Sequence, residues 1–283
     1  MNPLQIIEDL QWLVEGHVLE SDFDLSPYWC ADLEQRLAKL RQDNQPLLDR
    51  IARTKSHFLG SYFEALFSFA IEQLTELKII KEHFQIDQMG KTLGEVDMLV
   101  RLPTGEIHQF EIAIKFYLQR PDLAPNDWIG PNKNDSLHKK VTRARQHQLT
   151  LLSTSVGKQW LEQHNITSEV ESNLLIFGRF YMALNNSRAI ELWFAEEVLG
   201  GWIRASQFIQ LQAYFSCFYV LQKPHWMSNP LEDANSTFFS RESAYNLVSL
   251  FLRDERPIHL FMLPSLGASK VSGKCIFVVP DHW

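Results

Sequence analysis

The sequence predicts a mixed α/β protein, and three observations predict it. Residues 57–78 place apolar side chains at intervals of three and four. Residues 94–118 switch to strict alternation on either side of a Pro-Thr-Gly turn. Beyond these, short apolar runs alternate with a second, basic helical pattern. The expected order across 57–184 is helix, three-stranded meander, helix, strand. An acidic helical segment, 1–56, precedes this core, and a mixed α/β extension, 185–283, packs on it.

Each element has a local reason. In the first segment Leu4, Ile7, Leu10 and Leu13, then Leu33, Leu37 and Leu40, fall at helical spacing beneath a solvated acidic face. The 57–78 helix carries Leu59, Tyr62, Phe63, Leu66, Phe67, Ala70, Ile71, Leu74 and Leu77 on its stripe. Residues 79–89 read as a first strand ending at Gly90. Val96, Met98, Val100 and Leu102 form one face of the second, and Phe110, Ile112, Ile114, Phe116 and Leu118 one face of the third. A loop rich in Pro, Asn and Gly covers 121–135, a basic helix 136–153, and a strand 173–184. In the extension, 214–221, 258–263 and 275–279 read as strands, and 241–252 as a helix.

Composition excludes whole classes. With 45% hydrophobic and 22% charged residues in 283, the chain is neither disordered nor collagen-like. Cys30, Cys217 and Cys275 are too few and too scattered for a disulfide framework or a CxxC zinc pattern, which points to a reducing compartment and a cytoplasmic location. No stretch approaches the ~18 apolar residues of a membrane span, so no membrane partner is expected. The net charge of −7 argues at first against a polyanionic partner. Yet residues 1–50 hold ten acidic against four basic side chains, so nearly all the acidity belongs to that segment.

The chemistry lies in Gly94-Glu95-Val96-Asp97 and Glu111-Ile112-Ala113-Ile114-Lys115. A three-residue hairpin loop, Pro103-Thr104-Gly105, pairs Leu102 with Glu106 and therefore sets Asp97 opposite Glu111. Glu95, Asp97, Glu111 and Lys115 then share the face opposite the apolar stripe. Two carboxylates facing each other across a strand pair repel, and burial raises the cost. A divalent cation turns that repulsion into affinity. Mg²⁺, with Mn²⁺ as the alternative, is a hard ion that takes carboxylate oxygens, waters and phosphate.

This pattern resembles the PD-(D/E)XK nuclease superfamily. The core order of that family, the restriction-endonuclease-like fold, is helix, three strands, helix, strand. The whole chain also looks similar to an uncharacterised bacterial protein family assigned to the superfamily. The resemblance implies metal roles for Asp97 and Glu111, a catalytic role for Lys115, and a further acidic ligand, Glu64, from the first helix, where Gly60 allows close backbone approach. It also implies Mg²⁺-dependent phosphodiester hydrolysis of nucleic acid, DNA ahead of RNA. Two features depart from the pattern. Val96 replaces the proline, and Ala113 occupies the usual lysine position, with Lys115 two residues further on.

The segment 129–148 carries Lys133, Lys139, Lys140, Arg143 and Arg145 against Asp135. Lys139, Lys140 and Arg143 are the expected phosphate-binding residues, and Trp128 and Trp160 are candidates for base stacking. No P-loop, GxGxxG, HExxH or GxSxG is present, and His225 reads as structural. Two alternatives remain open: a catalytically impaired nuclease-fold module that binds nucleic acid or protein, and an adaptor that uses the acidic N-terminal segment.

Overall fold

The computed structural model describes the chain apart from residues 1, 55, 57, 196–198, 232–237, 241–242, 245, 247, 250–254, 266–267 and 270–271. Along the chain run α1 (Pro3–Val14), β1 (Val18–Ser21), α2 (Leu33–Gln42), α3 (Gln45–Ala52), α4 (Leu59–Leu74), β2 (Lys78–Gln88), β3 (Lys91–Arg101) and β4 (Ile107–Gln119). There follow β5 (Trp128–Ile129), α5 (Leu137–Arg143), α6 (Ser155–Gln163), β6 (Val170–Ala183), α7 (Ser187–Ala195), β7 (Gly200–Arg204), β8 (Cys217–Val220), β9 (Phe238–Ser240), β10 (Ile258–Leu263) and β11 (Lys274–Val279). The fold is mixed α/β, as composition and periodicity predict. Among the described residues, no helix is long and apolar enough to cross a membrane.

The chain divides into two compact units, neither continuous in sequence. One comprises Leu10–Ile114 and Lys139–Phe177. The other comprises Met1–Asp9, Lys115–His138 and Gly178–Trp283. Strands β4 and β6 each begin in the first unit and end in the second. Much of the acidic N-terminal segment therefore belongs with the meander.

In the first unit the strands lie in the order β2, β3, β4, β6, with β1 antiparallel to β6. The β3–β4 hairpin has the register its turn chemistry dictates. Leu102 N–H donates to Glu106 O at 2.9 Å, and Gly105 takes φ +100°, a backbone that penalises any Cβ. The pairs are Met98↔Phe110, Leu99↔Gln109, Val100↔His108 and Arg101↔Ile107. Helix α4 packs Phe63 against Phe177, and Phe67 against Phe110 and Phe177. A second cluster gathers Phe84, Ile86, Val96 and Leu99 around Leu151, Leu152, Leu161 and Ile166. Burial of such side chains contributes roughly 1.5–3 kcal/mol each. Gly94 belongs to this packing, because a Cβ there would sit 3.0 Å from Leu151 Cδ2.

The helix expected over 136–153 is broken. After α5 the chain makes a π-helical turn, Ala144–Gln148, and a 3-10 turn, Leu151–Ser153. Helix α6 then starts on Thr154, whose side chain accepts from Gly157 N–H at 3.0 Å. No helix is expected there from the sequence, although Val156, Trp160 and Leu161 fall at helical spacing.

In the second unit the order is β6, β7, β11, β10, β8, β9, with β5 on the end of β4. The β6–β7 and β7–β11 pairs are parallel, and the other pairs of this run are antiparallel. Its core gathers Trp193, Ile203, Phe208, Phe218, Leu260 and Ile276. The three strands expected here are present as β8, β10 and β11. Much of the helix expected over 241–252 lies outside the described residues.

Candidate active site

The site forms where the meander stops being regular. The β3–β4 ladder ends at Met98↔Phe110, one pair short of Asp97 and Glu111. In place of a ladder bond, Ile112 N–H donates to Asp97 Oδ2 at 2.9 Å. On the other side of β3, His83 falls between the pairs Glu82↔Met98 and Phe84↔Val96 and takes φ +48°. A left-handed backbone at a non-glycine residue costs on the order of 1 kcal/mol. Asp97 thus lies between a left-handed residue on β2 and the end of the ladder to β4, where its carboxylate takes the Ile112 N–H.

Glu111 is only 2% exposed. Its Oε1 accepts from Lys140 Nζ at 2.7 Å, while its Oε2 is buried with no hydrogen-bond partner. Leaving a charged oxygen buried and unsatisfied is costly. Burial, reinforced by the Glu111 charge, pushes the Asp97 carboxyl up to about 8, and the Ile112 N–H opposes the shift. Glu64, from α4, is also raised by burial. His83 opposes that rise, and Glu95 and Glu111 add to it. His83 Nδ1 lies 4.0 Å from Glu64 Oε2 and 3.8 Å from Glu95 Oε1. An open groove of about 780 Å³ runs past Glu64, His83 and Glu95, and Arg50, Arg53 and Lys81 also line it.

The expected residues fare differently. Asp97, Glu111 and Glu64 are electrostatically linked, since Glu111 and Glu64 both raise Asp97. Lys115 is committed elsewhere. Its ammonium donates to Asp135 Oδ2 at 2.6 Å, an oxygen that also takes the Tyr117 hydroxyl at 3.4 Å. The ammonium at Glu111 belongs instead to Lys140, expected from sequence as a phosphate contact. Lys139 and Arg143 are exposed on the same short helix. No described atom makes the close approach expected at Gly60, where an added Cβ would meet nothing within 4 Å. Trp160 is closed to bases, with Phe84 on one face at 4.2 Å and His164 on the other at 3.8 Å. Trp128 is tilted against Phe180 at 4.3 Å. His225 Nδ1 is bonded to Asp9 at 2.6 Å, in keeping with a structural role.

Sequence reasoning missed His83, because nothing in Lys78–Gln88 announces a left-handed residue inside a strand. It also missed Lys140 as a partner of Glu111, because no local pattern connects residues 29 apart.

Among the described residues no group of three or more His, Cys, Asp or Glu forms a ready metal cage. The donor set still suits a hard divalent ion, which commonly rests on one or two carboxylates and completes its shell with water and phosphate. The buried, unsatisfied Glu111 oxygen and the raised Asp97 are the features such an ion would relieve.

No curated protein and no solved structure shows significant similarity to this chain. One family model matches residues 8–279, nearly the whole length, and the chain belongs to that family, described as a domain of unknown function, DUF1853.

Proposed function

We propose that the first unit is a divalent-metal-dependent phosphodiesterase acting on a nucleic-acid backbone, with the restriction-endonuclease-like core the sequence resembles. The observation that carries this reading is the splayed end of β3 and β4. Asp97 and Glu111 lie just beyond the last ladder pair, one carboxylate raised by burial and by the other's charge, the other with a buried, unpartnered oxygen. A structural ion pair would satisfy both.

In this reading Asp97 and Glu111 bind Mg²⁺ or Mn²⁺, and Glu64, expected from the resemblance as a third ligand, adds its negative charge from the groove side without completing a three-carboxylate cage. The metal, when bound, supplies an activated water and charge stabilisation at the leaving oxygen. Lys140 provides the positive charge that faces the scissile phosphate, the role the resemblance assigns to a lysine. Lys139 and Arg143 contact flanking phosphates without reading bases. Ala113 then no longer counts against activity, because a helix supplies the ammonium the strand lacks.

The test is cleavage of single- and double-stranded DNA and RNA with Mg²⁺ or Mn²⁺. Asp97→Asn and Glu111→Gln should each lower the rate by at least about a hundredfold. Wild-type activity in both variants sinks the assignment. Lys139→Glu with Arg143→Glu should weaken DNA binding and reduce its salt slope by about 2, roughly one per lost phosphate contact; an unchanged slope removes α5 from the interface. The Lys140–Glu111 pair also favours a second reading, an impaired module whose metal place is permanently filled by lysine. Metal titration separates the two, since such a module binds neither ion.

A further inference from the structure

We propose that Lys140 is an exchangeable counter-ion. It holds Glu111 until a divalent cation binds there, and is then released toward the substrate phosphate. This rests on reading Asp97 and Glu111 as metal ligands, and deepens it by assigning the event that arms the site.

Three observations carry the inference. First, the ammonium occupies one oxygen of a carboxylate that is 2% exposed, and the other oxygen, Oε2, has no partner. Glu111 is therefore only half satisfied, and an ion that engages both Glu111 and the neighbouring Asp97 outcompetes a single ammonium. Second, Lys140 is an ammonium on a flexible stem, 15% exposed, and so can turn outward without unfolding anything. A guanidinium locked in a fork would not release as readily. Third, the helix that bears it is weakly anchored. α5 has seven residues, none of them buried. It runs directly into the π-helical turn Ala144–Gln148, whose Gln148 carbonyl accepts from Gln109 Nε2 at 3.0 Å. The turn is tied to the sheet, while the helix ahead of it has little apolar contact to lose.

Exchange has a signature that a purely catalytic or purely structural lysine lacks: the ammonium competes with the metal. Removing it should tighten metal binding. Calorimetric titration with Mn²⁺ alone, in the absence of nucleic acid, is the direct measurement. Lys140→Met should bind Mn²⁺ about tenfold to a hundredfold more tightly than wild type, with Lys140→Arg staying near or below wild type. Equal or weaker binding by Lys140→Met, with Glu111→Gln losing the ion, overturns the exchange and leaves the phosphodiesterase reading standing. Absence of Mn²⁺ binding in both wild type and Lys140→Met overturns the metal reading itself. A second measurement needs no variant. Acylation of Lys140 by an amine-reactive reagent, followed by mass spectrometry, should rise when Mn²⁺ is added to the wild-type protein. An unchanged or reduced yield at Lys140, with Lys139 as the internal reference, overturns the proposal even if Lys140→Met fails to fold.

Discussion

Two buried carboxylates, one in each unit, show what separates a structural acid from a poised one. In the second unit Asp9 has no exposed surface. It accepts from Ser228 N–H at 3.2 Å and Ser228 Oγ at 2.6 Å, and lies 2.6 Å from His225 Nδ1. Both of its oxygens are used, and nearby Gln5 donates to Ser228 Oγ at 2.7 Å and accepts from Leu231 N–H at 2.8 Å. Its network ties the start of α1 to the 225–231 loop. In the first unit Glu111 is almost as deeply buried, yet one oxygen has a single ammonium and the other has nothing. A buried acid that folding has fully satisfied holds the chain together. One that folding leaves incomplete stores a cost that a ligand can relieve.

The comparison breaks most visibly on stability. Asp9→Ala strands the Ser228 donors and the His225 ring, and should cost about 3 kcal/mol, read by urea unfolding. Asp97→Asn should go the other way. Asparagine keeps an oxygen for Ile112 N–H and cannot ionise. At pH 8 without metal this variant should be more stable than wild type by about 1 kcal/mol, or roughly 2–4 °C in Tm. If both substitutions destabilise alike, the distinction between the two acids fails.

The same residue sets a pH dependence. The Asp97 carboxyl sits near 8 in the fold against an ordinary value of 3.8. An acid whose pKa is raised by folding contributes stability fully below its unfolded value. That contribution is lost as pH rises toward the folded value, because the unfolded chain ionises first. Metal-free stability should therefore carry a term that falls from about pH 4 to about pH 8, and Asp97→Asn should remove it. Mn²⁺ affinity should rise over the same interval, since the ion needs the carboxylate. Unfolding curves in chelator at several pH values, for wild type and Asp97→Asn, read this directly. Parallel profiles for the two proteins would show that Asp97 ionises normally.

What the sequence made legible follows from how local the cause is. Pro103-Thr104-Gly105 fixes the hairpin, so the pairing of Met98 with Phe110 could be counted from the turn, and with it the approach of Asp97 to Glu111. The splaying one step later could not be counted. It coincides with a left-handed backbone at His83 on one neighbouring strand and with the Asp97 side chain taking the Ile112 N–H on the other. Which lysine pairs with Glu111 was also hidden. Spacing placed Lys115 on the face of Glu111, but Asp135 captured it through a loop whose path no periodicity describes. Lys140 read as one more charge in a basic run, and its inward turn is a tertiary event. The two units were hidden for a related reason. Each is assembled from separated stretches, and β4 and β6 cross from one to the other without any linker composition to mark the change.

The two lysines give the smallest predicted effect and the sharpest one. Lys115 and Asp135 are each a third exposed, so water screens the pair, and such contacts contribute about 1 kcal/mol or less. Lys140 and Glu111 are 15% and 2% exposed, where the same contact is worth more and its loss leaves a buried charge. Lys115→Ala should lower stability by less than about 1 kcal/mol, leave Mn²⁺ affinity unchanged within twofold, roughly the calorimetric error, and alter cleavage by no more than about threefold. Lys140→Ala should lower cleavage by at least about a hundredfold. Both are read in one cleavage assay alongside one titration. If Lys115→Ala proves the damaging substitution, the catalytic ammonium comes from the strand after all. Asp135 then becomes its keeper, and the Lys140–Glu111 pair is a fixed part of the fold.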